Sequence, residues 1–247
     1  MRGLIAILSD FGNKDHYNGV MKGVIFSINP KAKIVDLALD TNSFSITDAA
    51  FMLLASVKYF PKNTIFLVVV DPGVGTKRAA VAVEGSKHFF VGPDNGVLYP
   101  ALQIEGIKKA VRLKTYGGTF DGRDVFAPAA AMISLKNGIE GLGEKYELSV
   151  KTELKNAEIR GGTVWGKVIH VDKFGDIVTN IRSEQLMGYS EITLDKTTIK
   201  RAESFSECDG LCFIEGSSGY IEIIANKNNA SEMLGLNTDD SLRIIVK

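Results

Sequence analysis

The sequence has few of the residues that build metal centres and disulfide frameworks. Its 247 residues include two cysteines, three histidines and one tryptophan. The histidines, His16, His88 and His170, are scattered and show no metal-ligand spacing. Cys208 and Cys212 lie in CDGLC with no further ligands nearby. We therefore expect two reduced thiols and no metal site.

The sequence also lacks an excess of either charge and lacks long apolar runs. Lysine plus arginine and aspartate plus glutamate each total 29, so the formal net charge is zero. No general positive field is expected to attract nucleic acid or an anionic membrane. No apolar run approaches the roughly 20 residues that cross a bilayer. The first run is interrupted at Asp10, too early for a signal peptide, so we expect a cytoplasmic protein.

What is present in the first half is an alternation of strand-like and helix-like segments. Apolar runs predict strands at 4–8, 33–37 and 64–70, and a hairpin follows in AAVAVEG and KHFFVG. Helical periodicity covers 17–28 and 45–60, and a further helix is expected within 123–138. Strands without polar alternation are typical of a parallel sheet covered on both faces. Residues 1–152 are therefore predicted to form an α/β domain with a mostly parallel central sheet.

The character of the chain changes near residue 150. Residues 153–162 are polar and charged, as expected of a linker. From residue 163 to residue 247 the sequence consists mainly of short strand-like runs separated by turn residues, with one short helical turn at 230–236. This pattern predicts a second, smaller domain that is an all-β barrel.

Three loops of the first domain lie where ligands usually bind, outside the carboxyl ends of the strands. Asp10 follows the first strand, Asp71 the third, and GPDNG (92–96) a fourth. A carboxylate at a strand end can accept hydrogen bonds from a ribose diol. For Asp10, a helix N-cap is an equal alternative.

Two further stretches are unusual for turns. VVVDPGVGTKR places Asp71 and Arg78 on one glycine-rich loop, which does not match the Walker phosphate-binding pattern. TFDGRDVFAP crowds Asp121, Arg123 and Asp124 around a glycine. An Arg–Asp pair that fixes a helix start is the simpler explanation of the second stretch. In the second domain, HVDKFGDIVTNI and EGSSGYIEIIANKNNA combine turn residues with groups that suit a planar base.

The order of these motifs identifies a family resemblance. The chain contains LSDFG, TIFLVVVDPGVGT followed by Arg78, FVGPDNGVL, TFDGRD and VDKFG with TNI. It resembles the S-adenosylmethionine hydroxide adenosyltransferases, which form adenosine and methionine and are relatives of the fluorinating and chlorinating enzymes. The resemblance covers essentially the whole chain. It implies an N-terminal α/β domain and a small C-terminal β-barrel.

The resemblance also implies catalytic roles. The family's hydrolases hold the attacking water with an aspartate, an arginine and a histidine. The first two match Asp71 and Arg78, whereas the histidine position is occupied by Asp121. A carboxylate is a poorer base than imidazole and adds negative charge beside Asp71. The expected catalytic set is therefore Asp71, Arg78 and Asp121, with the two acids sharing a proton or bridged by Arg78.

The substrate contacts follow by motif position. Asp10 matches the aspartate that binds the ribose hydroxyls, and Asp172 matches the carboxylate that receives the methionine ammonium. Phe174 is expected near the base. Asp176 stands where the family usually has asparagine, so base recognition is expected to differ. The remaining matches are Ser217 and Ser218 for the methionine carboxylate, and Asn228 and Ala230 for adenine.

The leading hypothesis is hydrolysis of S-adenosylmethionine at C5′. The alternatives are a catalytically silent protein that binds adenosine or S-adenosylmethionine, and a halide-transferring enzyme. The resemblance implies a small-molecule substrate and no metal or organic cofactor. From the neutral net charge we expect no nucleic-acid or membrane partner. It also implies a homotrimer whose sites combine the N-domain of one subunit with the C-domain of its neighbour.

Overall fold

The computed structural model describes residues 3–152 and 154–246. The chain divides into two compact units, residues 1–153 and residues 154–247. Among the described residues, no helix has the length and apolar character needed to cross a membrane.

The first unit is built on a seven-stranded sheet. Its strands are β1 (Leu4–Ser9), β2 (Lys33–Ala38), β3 (Ile65–Val69), β4 (Ala80–Gly85), β5 (Phe89–Pro93), β6 (Ile107–Leu113) and β7 (Gly143–Lys145). Their spatial order is β2-β1-β3-β5-β4-β6-β7. Neighbours among β2, β1, β3 and β5 are parallel, whereas β4, β6 and β7 add antiparallel pairs. The predicted α/β fold and the β4–β5 hairpin are confirmed.

Both faces of this sheet are buried. Because successive strand residues point to opposite faces, Ile5 and Ile7 enter one core while Ala6 and Leu8 enter the other. Helices α1 (Tyr17–Ile28) and α4 (Ala127–Lys136) contribute to the first core, and α2 (Ile46–Val57) and α3 (Tyr99–Glu105) to the second. Residues from all four helices are buried in these cores. This explains why β1 and β3 read as continuous apolar runs.

The second unit is a closed barrel with one strand attached to it. Its strands are β8 (Glu158–Arg160), β9 (Thr163–Val171), β10 (Ile177–Arg182), β11 (Glu191–Leu194), β12 (Thr197–Arg201), β13 (Leu211–Glu215), β14 (Tyr220–Ala225) and β15 (Ser241–Val246). The order is β10-β14-β13-β12-β11-β15-β9-β8, and pairing of β10 with β9 closes the ring. The predicted barrel is confirmed, as is the short helix α5 (Ala230–Leu234).

Two details differ from the sequence predictions. Strand β8 lies within the stretch predicted as a linker and pairs with β9, so this part of residues 153–162 belongs to the barrel sheet. Cys208 and Cys212 form a disulfide instead of two thiols. The turn before β13 brings their Cα atoms to 5.7 Å, a separation that a disulfide spans without distortion.

Candidate active site

A cavity of about 480 Å³ opens in the first unit at the carboxyl ends of β1 and β3. Ser9 pairs with Val69 in the parallel register, so the residues that follow them emerge side by side. Asp10 and Asp71 both line the cavity, and Asp121 joins them from the segment before α4. The fold therefore brings together three carboxylates that are far apart in sequence.

The loop from Asp71 to Arg78 is a series of tight turns. The Val74 amide donates to the Asp71 carbonyl at 3.2 Å, and the Thr76 amide donates to the Gly73 carbonyl at 3.1 Å. Gly75 has a φ of +78°, which favours glycine. These turns fold the loop back so that Arg78 reaches the side chain of Asp71.

Arg78 bridges two buried carboxylates. Its Nε donates to Asp71 Oδ1 at 3.0 Å, and its Nη2 donates to Asp71 Oδ2 and to Asp121 Oδ2. The side chains of Arg78, Asp71 and Asp121 are 9%, 7% and 7% exposed. Two carboxylates and one guanidinium give the cluster a formal charge of −1. Asp71 and Asp121 line the cavity while Arg78 is not among its lining residues, so the carboxylates face the space and Arg78 binds them from behind.

The surroundings of Arg78 and Asp121 are equally constrained. The guanidinium carbon of Arg78 lies 5.3 Å from the centre of the buried Phe126 ring. Phe126 ends a π-helical turn, Gly122–Phe126, that precedes α4. A side chain at Gly122 would lie 2.7 Å from the Phe120 ring, so any larger residue there would displace that ring. Asp121 precedes this turn without forming a side-chain cap, and it pairs with Arg78 instead.

The helix-start explanation of TFDGRD holds for its other two charges. Arg123 Nε donates to Asp124 Oδ1 at 2.6 Å, on the surface. This pairing lowers the pKa of Asp124 and raises that of Arg123. The exposed pair is therefore separate from the cluster around Arg78.

The N-cap interpretation of Asp10 is wrong. Helix α1 begins after His16, and Asp10 Oδ2 accepts a hydrogen bond from the Phe44 amide at 2.9 Å. Phe44 has a φ of 65°, which is uncommon for a non-glycine residue, and its side chain lines the cavity. Asp10 thus fixes one wall of the cavity while presenting a carboxylate to it.

Sequence reasoning missed the aromatic wall of this cavity. The ring centres of Phe11 and Tyr17 are 5.1 Å apart, and Phe120 packs edge-on against both at 5.6 and 5.3 Å. All three line the cavity. Each lies in or beside a charged motif, so the sequence signal for this wall is the aromatic residue next to the charged ones.

The GPDNG loop does not present its acid to the cavity. Asp94 is buried and accepts hydrogen bonds from the Ser149 amide at 2.8 Å, the Ser149 hydroxyl at 2.7 Å and the Tyr146 hydroxyl at 2.9 Å. Of the three candidate loops, which follow β1, β3 and β5, the third forms hydrogen bonds with residues 146–149 and does not supply a carboxylate to the cavity.

The second unit has its own, more open pocket of about 730 Å³. Eight residues line it, of which four were predicted from the sequence. The four that were not predicted are Phe205, Ala225, Lys227 and Asn229. Asp172 Oδ1 accepts from the amides of Phe174 and Asp176, both at 2.9 Å, which shapes the turn. Phe174 is 73% exposed, so its ring stands at the surface of the pocket. The predicted lining residues are Asp172, Phe174, Asp176 and Asn228.

Acidic groups crowd this pocket. Burial raises the pKa of Asp176, and the negative charge of Asp172 raises it further. Glu222, on β14, also has a raised pKa because of burial first and of Asp176 and Asp172 second. Among the residues that line the pocket, Asp172 and Asp176 are opposed by one cation, Lys227, so the lining has a formal charge of −1.

The other predicted residues of this unit have different positions. Ser217 is exposed on the turn between β13 and β14, and within the described chain the Ser218 hydroxyl is buried without a hydrogen-bond partner. Ala230 is fully buried in the barrel core, so its side chain cannot line an adenine site. Its place at the first position of α5 explains this, because the helix packs that residue inward.

Comparison with known proteins assigns the family. The model of the SAM hydroxide adenosyltransferase N-terminal domain matches residues 5–143, and that of the C-terminal domain matches residues 166–243. The chain belongs to the SAM hydroxide adenosyltransferase family.

Similar family members carry names that bear on the site. A protein of Methanocaldococcus jannaschii, 32% identical over 98% of this chain and 95% of its own length, is named (R)-S-adenosyl-L-methionine hydrolase. So is a Thermus thermophilus protein, 33% identical over 98% of this chain and 99% of its own. A fluorinase of Actinopolyspora mzabensis is 24% identical over 98% of this chain and 97% of its own.

The fold is also found in solved structures. The crystal structure of an uncharacterized conserved protein from Thermotoga maritima has a TM-score of 0.89 and 31% sequence identity. It covers 98% of this chain and 99% of that one. The family assignment rests on matches to both domains.

Proposed function

We propose that this protein hydrolyses S-adenosyl-L-methionine to adenosine and L-methionine. Water attacks C5′, the C5′–O bond forms and the C5′–S bond breaks. The sulfur keeps the electron pair of the broken bond, and one proton is released. The sulfonium is already a good leaving group, so no acid is required to expel methionine.

The observation that carries this proposal is the position of Arg78 between Asp71 and Asp121 at the wall of a cavity. The relatives that are 32% and 33% identical to this chain are named hydrolases. A displacement at carbon needs a nucleophile that is aligned and sheltered from bulk solvent. The carboxylates that face the cavity are suited to hold a water molecule by accepting its hydrogen bonds.

The roles within the cluster follow from its hydrogen bonds. Arg78 uses Nε and Nη2 to fix both acids, which leaves Nη1 as its remaining donor group. Asp121 uses Oδ2 for Arg78, so we assign Oδ1 to receive the proton of the water. Asp71 holds the water from the other side. Arg78 keeps two ionised acids together in a buried place by balancing one of their charges.

The substrate contacts complete the assignment. Asp10 is assigned to the ribose hydroxyls, because it lines the same cavity as the cluster. In the second unit, Asp172 Oδ2 is assigned to the methionine ammonium, and Phe174, Asp176 and Asn228 to the base. Ser217 and the buried Ser218 hydroxyl are assigned to the methionine carboxylate. For Ala230 only the backbone is available to a ligand.

Charge argues against halide as the nucleophile. The cluster has a formal charge of −1, and Asp10 and Asp15 also line the cavity. A halide would be repelled by these acids, whereas a neutral water and a cationic sulfonium are not. The same surplus of acid in both pockets suits a substrate that carries a sulfonium and an ammonium.

The assembly belongs to the proposal as well. Each unit has a pocket with exposed aromatic residues, Phe44 in the first and Phe174 and Phe205 in the second. We propose a homotrimer in which the first-unit pocket of one subunit is completed by the second unit of its neighbour. The reaction needs no metal or organic cofactor, and a cytoplasmic location stays a prediction.

Oxygen-18 labelling tests the reaction. Purified protein is incubated with S-adenosyl-L-methionine in ¹⁸O-water, with and without halide, and the products are analysed by mass spectrometry. We expect methionine and adenosine that carries the heavy oxygen at C5′. Binding without products supports the silent alternative, and a 5′-halogenated nucleoside that appears only with halide supports the transferase.

A further inference from the structure

Asn95, of the GPDNG loop, contacts the strand end that carries Asp71. Its Nδ2 donates to the Val70 carbonyl at 2.9 Å. Strand β3 ends at Val69, and its pairing with β5 reaches only Leu67. The Val70 carbonyl therefore lies beyond the sheet ladder that would otherwise satisfy it.

This hydrogen bond acts on the peptide group that begins Asp71. The carbonyl of Val70 and the amide of Asp71 belong to one planar peptide group. A hydrogen bond that fixes the carbonyl therefore also fixes the backbone orientation at Asp71. Val70 is fully buried, so water cannot replace the amide of Asn95 easily. A buried carbonyl without a partner is unfavourable, which gives the peptide a reason to rotate when that amide is lost.

The loop that presents Asn95 is itself held firmly. Asn95 Oδ1 accepts from the Val97 amide at 3.1 Å, and the neighbouring Asp94 is bound by Ser149 and Tyr146. On the other side, a side chain at Gly92 would lie 2.6 Å from the Val68 carbonyl, so this loop and β3 are in close contact.

We propose that Asn95 is a positioning residue for the reaction: it fixes the Val70–Asp71 peptide and thereby holds Asp71 in register with Arg78. The inference rests on the proposed hydrolysis, although Asn95 is not among the residues lining the cavity. A displacement of about 1 Å in a reacting constellation can lower turnover by as much as about 10²-fold.

The test compares Asn95→Asp and Asn95→Ala with wild type. In Asn95→Asp the oxygen that accepts from Val97 is kept, but a carboxylate oxygen replaces the donor to Val70. We expect kcat to fall by about 10-fold to 10²-fold while KM changes by less than about threefold, because substrate contacts lie elsewhere. Asn29→Ala is the matched control, since Asn29 donates to Ser134 Oγ at 2.8 Å at the far end of α1.

A second readout does not depend on the reaction. Crystal structures of the Asn95 variants should show the Val70–Asp71 peptide rotated and the Asp71–Arg78 hydrogen bonds altered. Unchanged geometry together with wild-type kcat would overturn the inference, even if the melting temperature falls. If wild type itself forms no adenosine, the proposed function fails, and the geometry of the variants alone decides whether Asn95 positions Asp71.

Discussion

The two pockets of this protein use their charges in opposite ways. In the first unit, Asp71 and Asp121 are buried and bound to Arg78, so their orientation is fixed by the protein. In the second unit, burial and the charge of Asp172 raise the pKa values of Asp176 and Glu222, and the exposed rings of Phe174 and Phe205 line the same pocket as the two aspartates. A fixed arrangement suits alignment of a nucleophile, whereas an excess of unbalanced charge suits capture of a cation. The comparison predicts that first-unit changes affect turnover and second-unit changes affect affinity.

The largest effect is expected from Arg78→Ala. It leaves two buried carboxylates facing each other without their cation, and breaking such a buried pair costs about 3–5 kcal/mol of stability. In the protein that remains folded, we expect kcat to fall by a factor on the order of 10² or more, as when a charge-stabilising group is lost. KM should change much less. Steady-state kinetics and thermal unfolding measure both.

Arg78→Lys separates the two consequences for the same residue. Lysine keeps the charge but not the bidentate geometry, so stability should largely return while turnover stays low. Full recovery of turnover in Arg78→Lys, or equal losses of binding and turnover in Arg78→Ala, would show that Arg78 is only a structural ion pair.

The residues of the first pocket differ in how far the sequence could predict them. Asp10, Asp71 and Arg78 are found from the sequence because each follows an apolar strand or lies on a glycine-rich loop of the same edge. The sequence left open whether Asp71 and Asp121 share a proton or are bridged by Arg78, and the structure shows a hydrogen bond from Arg78 to Asp121 across 43 residues. The aromatic wall formed by Phe11, Tyr17 and Phe120 was missed, because the sequence shows the three residues beside their motifs but not that their rings pack on one another.

The second unit was harder to predict in detail. The barrel was predicted, but β8 was assigned to the linker, and the sequence does not show which side of a short helix faces the core. Ala230, the first residue of α5, is buried in the core, whereas the preceding Asn228 and Asn229 line the pocket. Likewise, the disulfide depends on how the turn at 208–212 closes, which the spacing of two cysteines does not specify.

Asp172→Asn should give the clearest effect in the second pocket. Asparagine keeps Oδ1 to accept from Phe174 and Asp176, so the turn persists while the negative charge is lost. Hydrogen bonds to charged groups are worth about 1.5–3 kcal/mol, so KM should rise by about 10-fold or more. We expect kcat to change by less than about threefold, because the interaction is the same in the ground and transition states.

Exposed Asp195, on the β11–β12 turn, supplies the control Asp195→Asn for this measurement. A fall in kcat with unchanged KM in Asp172→Asn would reverse the proposed division of roles between the pockets.

A smaller effect is expected from Asp121→His, which restores the residue type implied by the family resemblance. A neutral imidazole changes the charge of the cluster from −1 to zero and supplies a base whose unperturbed pKa of about 6.5 lies near neutral pH. We expect turnover to be preserved or to rise a few-fold. Initial rates of adenosine formation at constant pH measure it.

The adjacent acid provides the control for this change. Asp124→His alters an exposed residue bound to Arg123 and should leave turnover unchanged. Collapse of turnover in Asp121→His, with fold and substrate binding intact, would mean that the carboxylate itself is the adapted catalytic group.

The smallest effect concerns Asp176→Asn and its dependence on pH. Burial and the charge of Asp172 raise the pKa of Asp176 in the folded protein, so folding favours its protonated form. Its contribution to stability is therefore present below the unfolded pKa of about 3.9 and is lost as the pH rises through the folded value. Asparagine does not titrate. The variant should thus gain in melting temperature over wild type as the pH is raised from about 4 to 7, whereas Asp195→Asn should show no such trend. If the difference in melting temperature between Asp176→Asn and wild type does not change with pH, folding does not disfavour the ionised form of Asp176. The contrast between the two pockets would then lose its electrostatic basis.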